Sequence, residues 1–186
     1  MKNYKKQIIA AVITIISATG INAQTTVQVG GEAMYPMKNI VENAVKSKDH
    51  TTLVAAVKAA GLVETLQSKG PFTVFAPVND AFENLPAGTV ETLLKPENKK
   101  TLTSVLTYHV VAGKYDFSEL EKLIKTGGGK ATLKTVAGGA LSFMMNGMHN
   151  ISVWDESGNT ATINTYDVYQ SNGVIHSINN VLMPKM

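Results

Sequence analysis

Cysteine and arginine are both absent from this chain of 186 residues. Without cysteine there are no disulfides, no thiol redox chemistry, no iron–sulfur cluster and no cysteine zinc site. A domain of about 160 residues buries a sufficient core without disulfides, so the absence is compatible with a folded exported protein. Without arginine, no bidentate guanidinium is available for phosphates or base edges. All 17 basic residues are lysines, and three of them, Lys2, Lys5 and Lys6, stand at the very start. The remaining 14 face 14 Asp and Glu, a formal balance of zero. That neutrality argues against nucleic acid as a partner and gives little attraction to anionic membranes.

A long apolar run is missing too. The stretch Ile8 to Ile16 is broken only by Thr14. It falls short of the roughly 20 residues that a membrane-crossing helix needs. Behind a lysine-rich start and ahead of the small and polar residues Ala18 to Ala23, it reads as the apolar part of a secretory signal. The expected organisation is a signal peptide at 1–23, an N-terminal tether at 24–35 and one domain at 36–186. Ala23 is the expected cleavage position, with the bulk of Ile21 leaving the cut open. No cysteine follows the apolar run, which excludes attachment as a lipoprotein. The protein is expected to be exported, to the periplasm or to the cell surface and beyond.

Two hydrophobic periods follow one another along the domain. Ile40, Val41, Ala44 and Val45, then Leu53, Val54 and Val57, repeat at helical spacing, and Gly61 breaks the second helix. Phe72 to Ala76 is rich in β-branched and aromatic residues and predicts a strand ended by Pro77. Asn79 is placed to cap a short helix carrying Ala81 and Phe82. Pro96 suits the start of a helix with Leu102, Val105 and Leu106 inside, and Asp116 with Glu119, or Ser118 with Glu121, suits a capping box before Leu120, Leu123 and Ile124. From Ala131 the period changes to two. Segments 132–136, 141–145, 151–154, 161–166 and 174–178 predict strands, with Asn146-Gly147 as the strongest hairpin signal. Helices first and strands later predict one α+β domain, because strand 72–76 has to pair with the later ones.

Catalytic motifs are scarce. There is no H-E-x-x-H, no G-x-S-x-G and no P-loop, and neither catalytic nor cofactor-binding residues are expected. Gly127-Gly128-Gly129 follows a helix rather than opening one, so it reads as a helix stop before it reads as a phosphate loop. Met144, Met145, Met148 and His149 offer soft ligands for Cu(I). Met144 and Met145 point to opposite faces of a strand, however, which favours hairpin core and turn. His109 and His176 interrupt apolar runs and read as core histidines bonded through their ring nitrogens. Tyr35, Tyr108, Trp154, Tyr166 and Tyr169 offer aromatic surface for a partner or a glycan, or else ordinary sheet packing.

Three stretches carry a family resemblance: Phe72 to Phe82, the pair Tyr108-His109, and Asn172 to Pro184. In order and spacing they resemble the two signature boxes and the Tyr-His pair of the fasciclin (FAS1) domain. The opening Met34 to Ile40 is similar to that of single-domain secreted bacterial members. The resemblance spans about Tyr35 to Pro184. It implies a wedge-like β-sandwich with several helices packed on one side, and a non-enzymatic module that binds a cell-surface or matrix component, protein or polysaccharide. An alternative it leaves open is a carrier of a small apolar ligand, pigment or lipid, held between helices and sheet. Carried over from animal members, it names Tyr108 and His109 as a partner-binding pair. Two departures stand out: Val78 where Thr is usual, and Asn179 where Asp is usual.

Overall fold

The computed structural model describes residues 26–185. The expected signal peptide at 1–23 lies outside them. Two short strands, β1 (Val27–Val29) and β2 (Glu32–Met34), form a hairpin where a tether was expected. Its Val29 and Met34 are buried in the main core, which makes the hairpin part of the domain. Asn43 fastens it: its side chain accepts from Tyr35 N at 3.1 Å, donates to Tyr35 O at 2.9 Å and also donates to Gln170 Oε1.

The first half is helical. It comprises α1 (Ile40–Ala44), α2 (Thr51–Ala60) and α3 (Val63–Gln67), then strand β3 (Phe72–Pro77). Next come α4 (Asn79–Glu83), α5 (Thr89–Leu93) and α6 (Lys99–Tyr108). Strand β4 (Val110–Ala112) and helix α7 (Phe117–Thr126) complete this half. Gly61 ends α2 with φ of 73°, as a left-handed helix stop requires. Asp116 caps α7 by accepting from Glu119 N at 3.0 Å.

Asn79 differs from expectation. It stands at the first position inside α4 and does not cap that helix. Its Oδ1 instead accepts from Thr52 N at 3.1 Å, and its Nδ2 donates to Lys48 O at 2.8 Å. It therefore caps α2, a helix far earlier in the chain. Asn79→Ala is expected to cost about 1 kcal/mol, as loss of a capping side chain does. Urea unfolding tests this, and an unchanged midpoint would sink the capping role.

The second half supplies β5 (Ala131–Lys134), β6 (Ala140–Asn146), β7 (Asn150–Trp154), β8 (Thr160–Gln170) and β9 (Gly173–Ile178). All strands after β2 share one seven-stranded sheet in the order β4-β3-β9-β8-β7-β6-β5. The β3–β9 pair is parallel and the others are antiparallel. The two edges touch through a bridge between Val111 and Thr135, so the sheet curls into a near-barrel. The sandwich expected from the sequence takes this form: one sheet folded over a shared core.

Two apolar clusters result. Alternation along β6, β7 and β8 sends Leu141, Phe143, Ile151, Val153, Ala161 and Ile163 inward, where they meet Phe75, Leu120 and Ile124. On the other face of β3 and β9, Val74, Ala76 and Ile175 pack against α1, α2, α3 and α6. Gly173 marks a close approach: a Cβ there would lie 2.0 Å from Phe72 O, so no side chain fits where β9 enters its parallel pairing. Asn172 just before it ties the helices to this point. Its Oδ1 accepts from Ile40 N at 3.0 Å, and its Nδ2 donates to Leu66 O and Ser68 O, each at 2.8 Å.

Candidate functional site

The Tyr108-His109 pair ends α6 and leads into β4, and the structure puts both side chains inside. Tyr108 is 0% exposed and His109 is 3% exposed. The Tyr108 hydroxyl donates to Ala140 O at 2.7 Å and accepts from Glu156 N at 3.1 Å, joining α6 to two β-loops. Burial raises its pKa. His109 Nδ1 lies 2.8 Å from Val105 O, and its Nε2 accepts from Leu182 N at 3.0 Å. That fixes the neutral tautomer with the proton on Nδ1. Burial pushes its pKa down to about 4, against smaller opposing effects of the Val105 carbonyl and Asp155. Neither side chain is offered at the surface. The pair expected to bind a partner instead ties α6 to the β-loops and to the C-terminal segment.

His176 is equally enclosed. Its Nε2 donates to Tyr115 O at 2.8 Å, Nδ1 accepts from Asp167 N at 3.3 Å, and the ring stacks on Phe75 with centroids 5.6 Å apart. The reading of His109 and His176 as core histidines therefore holds. His50, which the sequence did not single out, is buried between two hydroxyls. Ser47 Oγ lies 2.8 Å from Nδ1 and Ser177 Oγ lies 3.2 Å from Nε2. Burial lowers the pKa of both rings. A hydrolytic triad needs a carboxylate on the far side of the imidazole from its nucleophile. Here a serine occupies both sides, which is a structural bridge between the segment before α2 and β9.

The glycine run is a helix stop. Gly127, Gly128 and Gly129 donate their amides to Leu123 O, Lys125 O and Ile124 O, leaving none for a phosphate. In the methionine hairpin, Met145 packs on the inner cluster while Met144, on the opposite face of the strand, pairs in register with Ser152. Met148 is 81% exposed at the tip beside an exposed His149. The four groups do not converge on one point.

Two features remain open to a ligand. The first is the outer face of β5 to β8, where Thr132, Ser142, Trp154 and Thr160 stand in register as one cross-strand row. Met144, Ser152 and Thr162 make the next row, in which Ser152 is buried. Trp154 is partly buried there, and its Nε1, itself shut off from solvent, has no hydrogen-bond partner among the described residues. The second is an apolar cavity of about 110 Å³ between the helices and the β3–β9 face. Ile40, Leu53, Leu66, Val74 and Ile175 contribute to its walls. At about 24 cal/mol per Å³, an unfilled space of this size forgoes roughly 2–3 kcal/mol of packing. Sequence periodicity hides such a space, because its residues read as ordinary core.

The fold has known counterparts. A FAS1 domain pair from the insect cell adhesion molecule fasciclin I superposes with a TM-score of 0.70 at 18% identity, covering 80% of this chain and 51% of the other. The family model for the fasciclin domain matches residues 48–184. The chain belongs to the fasciclin family. Protein sll1483 of Synechocystis is 49% identical over 147 residues, which is 79% of this chain and 74% of that protein. Immunogenic protein MPB70 of Mycobacterium bovis is 36% identical over 76% of this chain and 66% of its own. The pig transforming growth factor-beta-induced protein ig-h3 is 35% identical over 80% of this chain, which amounts to 20% of that longer protein. In this fasciclin domain the two departures are accommodated locally. Val78 leaves α4 without a side-chain cap. Asn179 Oδ1 accepts from Thr162 N at 2.7 Å, as a carboxylate oxygen would. No helix among the described residues is long and apolar enough to cross a membrane.

Proposed function

We propose that this fasciclin domain is an exported, non-catalytic binding module that attaches to a cell-surface or matrix component, protein or polysaccharide. The outer face of β5 to β8 is its contact surface. The observation that carries this reading is the row Thr132, Ser142, Trp154 and Thr160: a partly exposed indole between hydroxyls on a regular sheet. Aromatic faces flanked by hydrogen-bonding groups are the usual anchors of recognition surfaces. Its relatives support the same class. The matched insect protein is a cell adhesion molecule, and a Mycobacterium bovis relative, 35% identical over 66% of this chain, is a cell surface glycolipoprotein. The buried polar groups support it from the other side, since Tyr108, His109, His50 and His176 spend their polar atoms on internal bonds. The matching location is the periplasm or the outside of the cell.

The test is retention on washed cells or isolated matrix material. A Thr132→Glu, Thr160→Glu double variant is expected to lose about tenfold in retention, the scale of an interface hot spot. Its melting temperature is expected to stay within about 2 °C, because surface changes are nearly neutral. Unchanged retention would remove the outer face as the contact surface.

A further inference from the structure

We propose that Asn146 is a site of spontaneous covalent modification: it closes a cyclic imide on the Gly147 nitrogen, and water opens that ring to aspartate and isoaspartate. This goes beyond the adhesion reading and does not depend on it.

Asparagine is a thermolabile residue. A following glycine makes it more so, because no side chain crowds the nitrogen that attacks. The chain holds two such pairs, Asn146-Gly147 and Asn172-Gly173. Their local chemistry is alike, and the fold treats them in opposite ways.

Asn172 is locked. It is 6% exposed, and its side chain accepts from Ile40 N while donating to Leu66 O and Ser68 O. Its own carbonyl accepts from Phe72 N at 3.0 Å. Gly173 is buried as well, in register with Phe72 on one side and Gln170 on the other. To reach the Gly173 nitrogen, the Asn172 side chain would have to break three bonds at once and loosen β9 from β3.

Asn146 is free. Residues 146–150 are all exposed, and Asn146 pairs with Asn150 as the last rung between β6 and β7. Gly147 has a φ of 78°, and a Cβ built on it meets nothing within 4 Å. Among the described residues, neither the Asn146 side chain nor the Gly147 N–H makes a hydrogen bond. The ring closes once Asn146 turns out of its extended conformation, which requires that last rung to open. Terminal rungs open most readily, and the Met145–Ile151 rung behind it keeps the register.

The step needs only water. The Gly147 nitrogen gives its proton to hydroxide and bonds to Asn146 Cγ. The Cγ–Nδ2 bond breaks, and ammonia leaves with a proton taken from water, which returns the hydroxide. Water then adds to one of the two ring carbonyls. Addition at Cγ restores the ordinary backbone and leaves aspartate. Addition at the main-chain carbonyl leaves isoaspartate, with the chain running on through Cγ. Both products carry a carboxylate on the face of β6 that bears Ser142 and Met144, because positions two apart share a face.

The experiment keeps the full chain in warm, mildly alkaline buffer, folded in one sample and in guanidinium chloride in another. Peptide mapping by mass spectrometry with electron-transfer fragmentation follows both sites. In the folded sample Asn146 is expected to convert to a mixture of isoaspartate and aspartate. Asn172 is expected to convert at least about a hundredfold more slowly, since its reacting atoms are held apart. In guanidinium chloride the two sites are expected to convert at comparable rates, because the fold alone separated them. Asn146→Gln, whose longer side chain closes a ring less readily, is expected to remove the acidic species from the folded sample. Each of four results overturns the proposal. These are Asn172 converting alongside Asn146 in the folded chain, aspartate as the sole product at 146, an acidic species undiminished in Asn146→Gln, and an Asn146 still intact when the denatured sample is half converted.

Discussion

His109→Ala is expected to lose about 3–5 kcal/mol of folding stability, the range for breaking a buried hydrogen-bonded group and leaving space behind. Three links fail together. The Leu182 amide loses its acceptor, the Val105 carbonyl loses its donor, and the imidazole volume empties next to Leu182, itself 0% exposed. Leu182 lies in the segment after β9, so the variant frees the end of the chain from α6. Tyr108→Phe is the gentler companion. It keeps the ring volume but strands Ala140 O and Glu156 N, for about 1–3 kcal/mol. Urea unfolding followed by circular dichroism reads both. If His109→Ala lost less than about 1 kcal/mol while retention on cells vanished, the pair would be a binding site after all.

Acid is expected to unfold the protein well before its carboxylates alone demand it. His50, His109 and His176 are all held below their ordinary pKa by burial, His109 at about 4. In the unfolded chain each titrates near 6.5. Between these values the unfolded state binds protons that the native state refuses, so the stability from these groups is complete above about pH 6.5 and declines as pH falls. For His109 the decline runs from about pH 6.5 to about pH 4. It amounts to roughly 3 kcal/mol at about 1.4 kcal/mol per unit. His50 and His176 act in the same direction. Urea midpoints taken at pH 7.5, 5.5 and 4.5 check this, and a flat profile over that span contradicts it.

Local signals in the sequence placed much of this fold. The helical repeats at residues 40–45 and 53–57, the strand at 72–76, which Pro77 extends by one residue, and the Asn146-Gly147 hairpin were all legible because neighbours in sequence decide them. What stayed hidden depends on distant partners. Asn79 looks like the cap of its own helix, yet its amide turns to Thr52 and Lys48, because β3 delivers it beside the start of α2. Val110–Ala112 is too short to announce itself as a strand and becomes one only against Phe72–Val74. Residues 27–34 are polar enough to read as a tether, and only Val29 and Met34, spaced across a hairpin, reveal a buried side. The candidate site was less legible. Tyr108-His109 was readable as special, but whether it faced in or out depended on Ala140, Glu156 and Leu182, none of them nearby in sequence. The outer row around Trp154 needs the strand register to line up its four members. The cavity needs three helices and a sheet.

The parallel pairing of β3 with β9 also governs when this chain folds. Phe72 meets Gly173 and Pro77 meets Ile178, contacts that span about a hundred positions. The strand that fills the gap between β3 and β8 is the last one made. Until residue 178 is available, the helical half lacks its central neighbour and the β half lacks its link to β3. Such long-range closure is slow. A chain emerging from its start therefore stays open until nearly all of it has appeared.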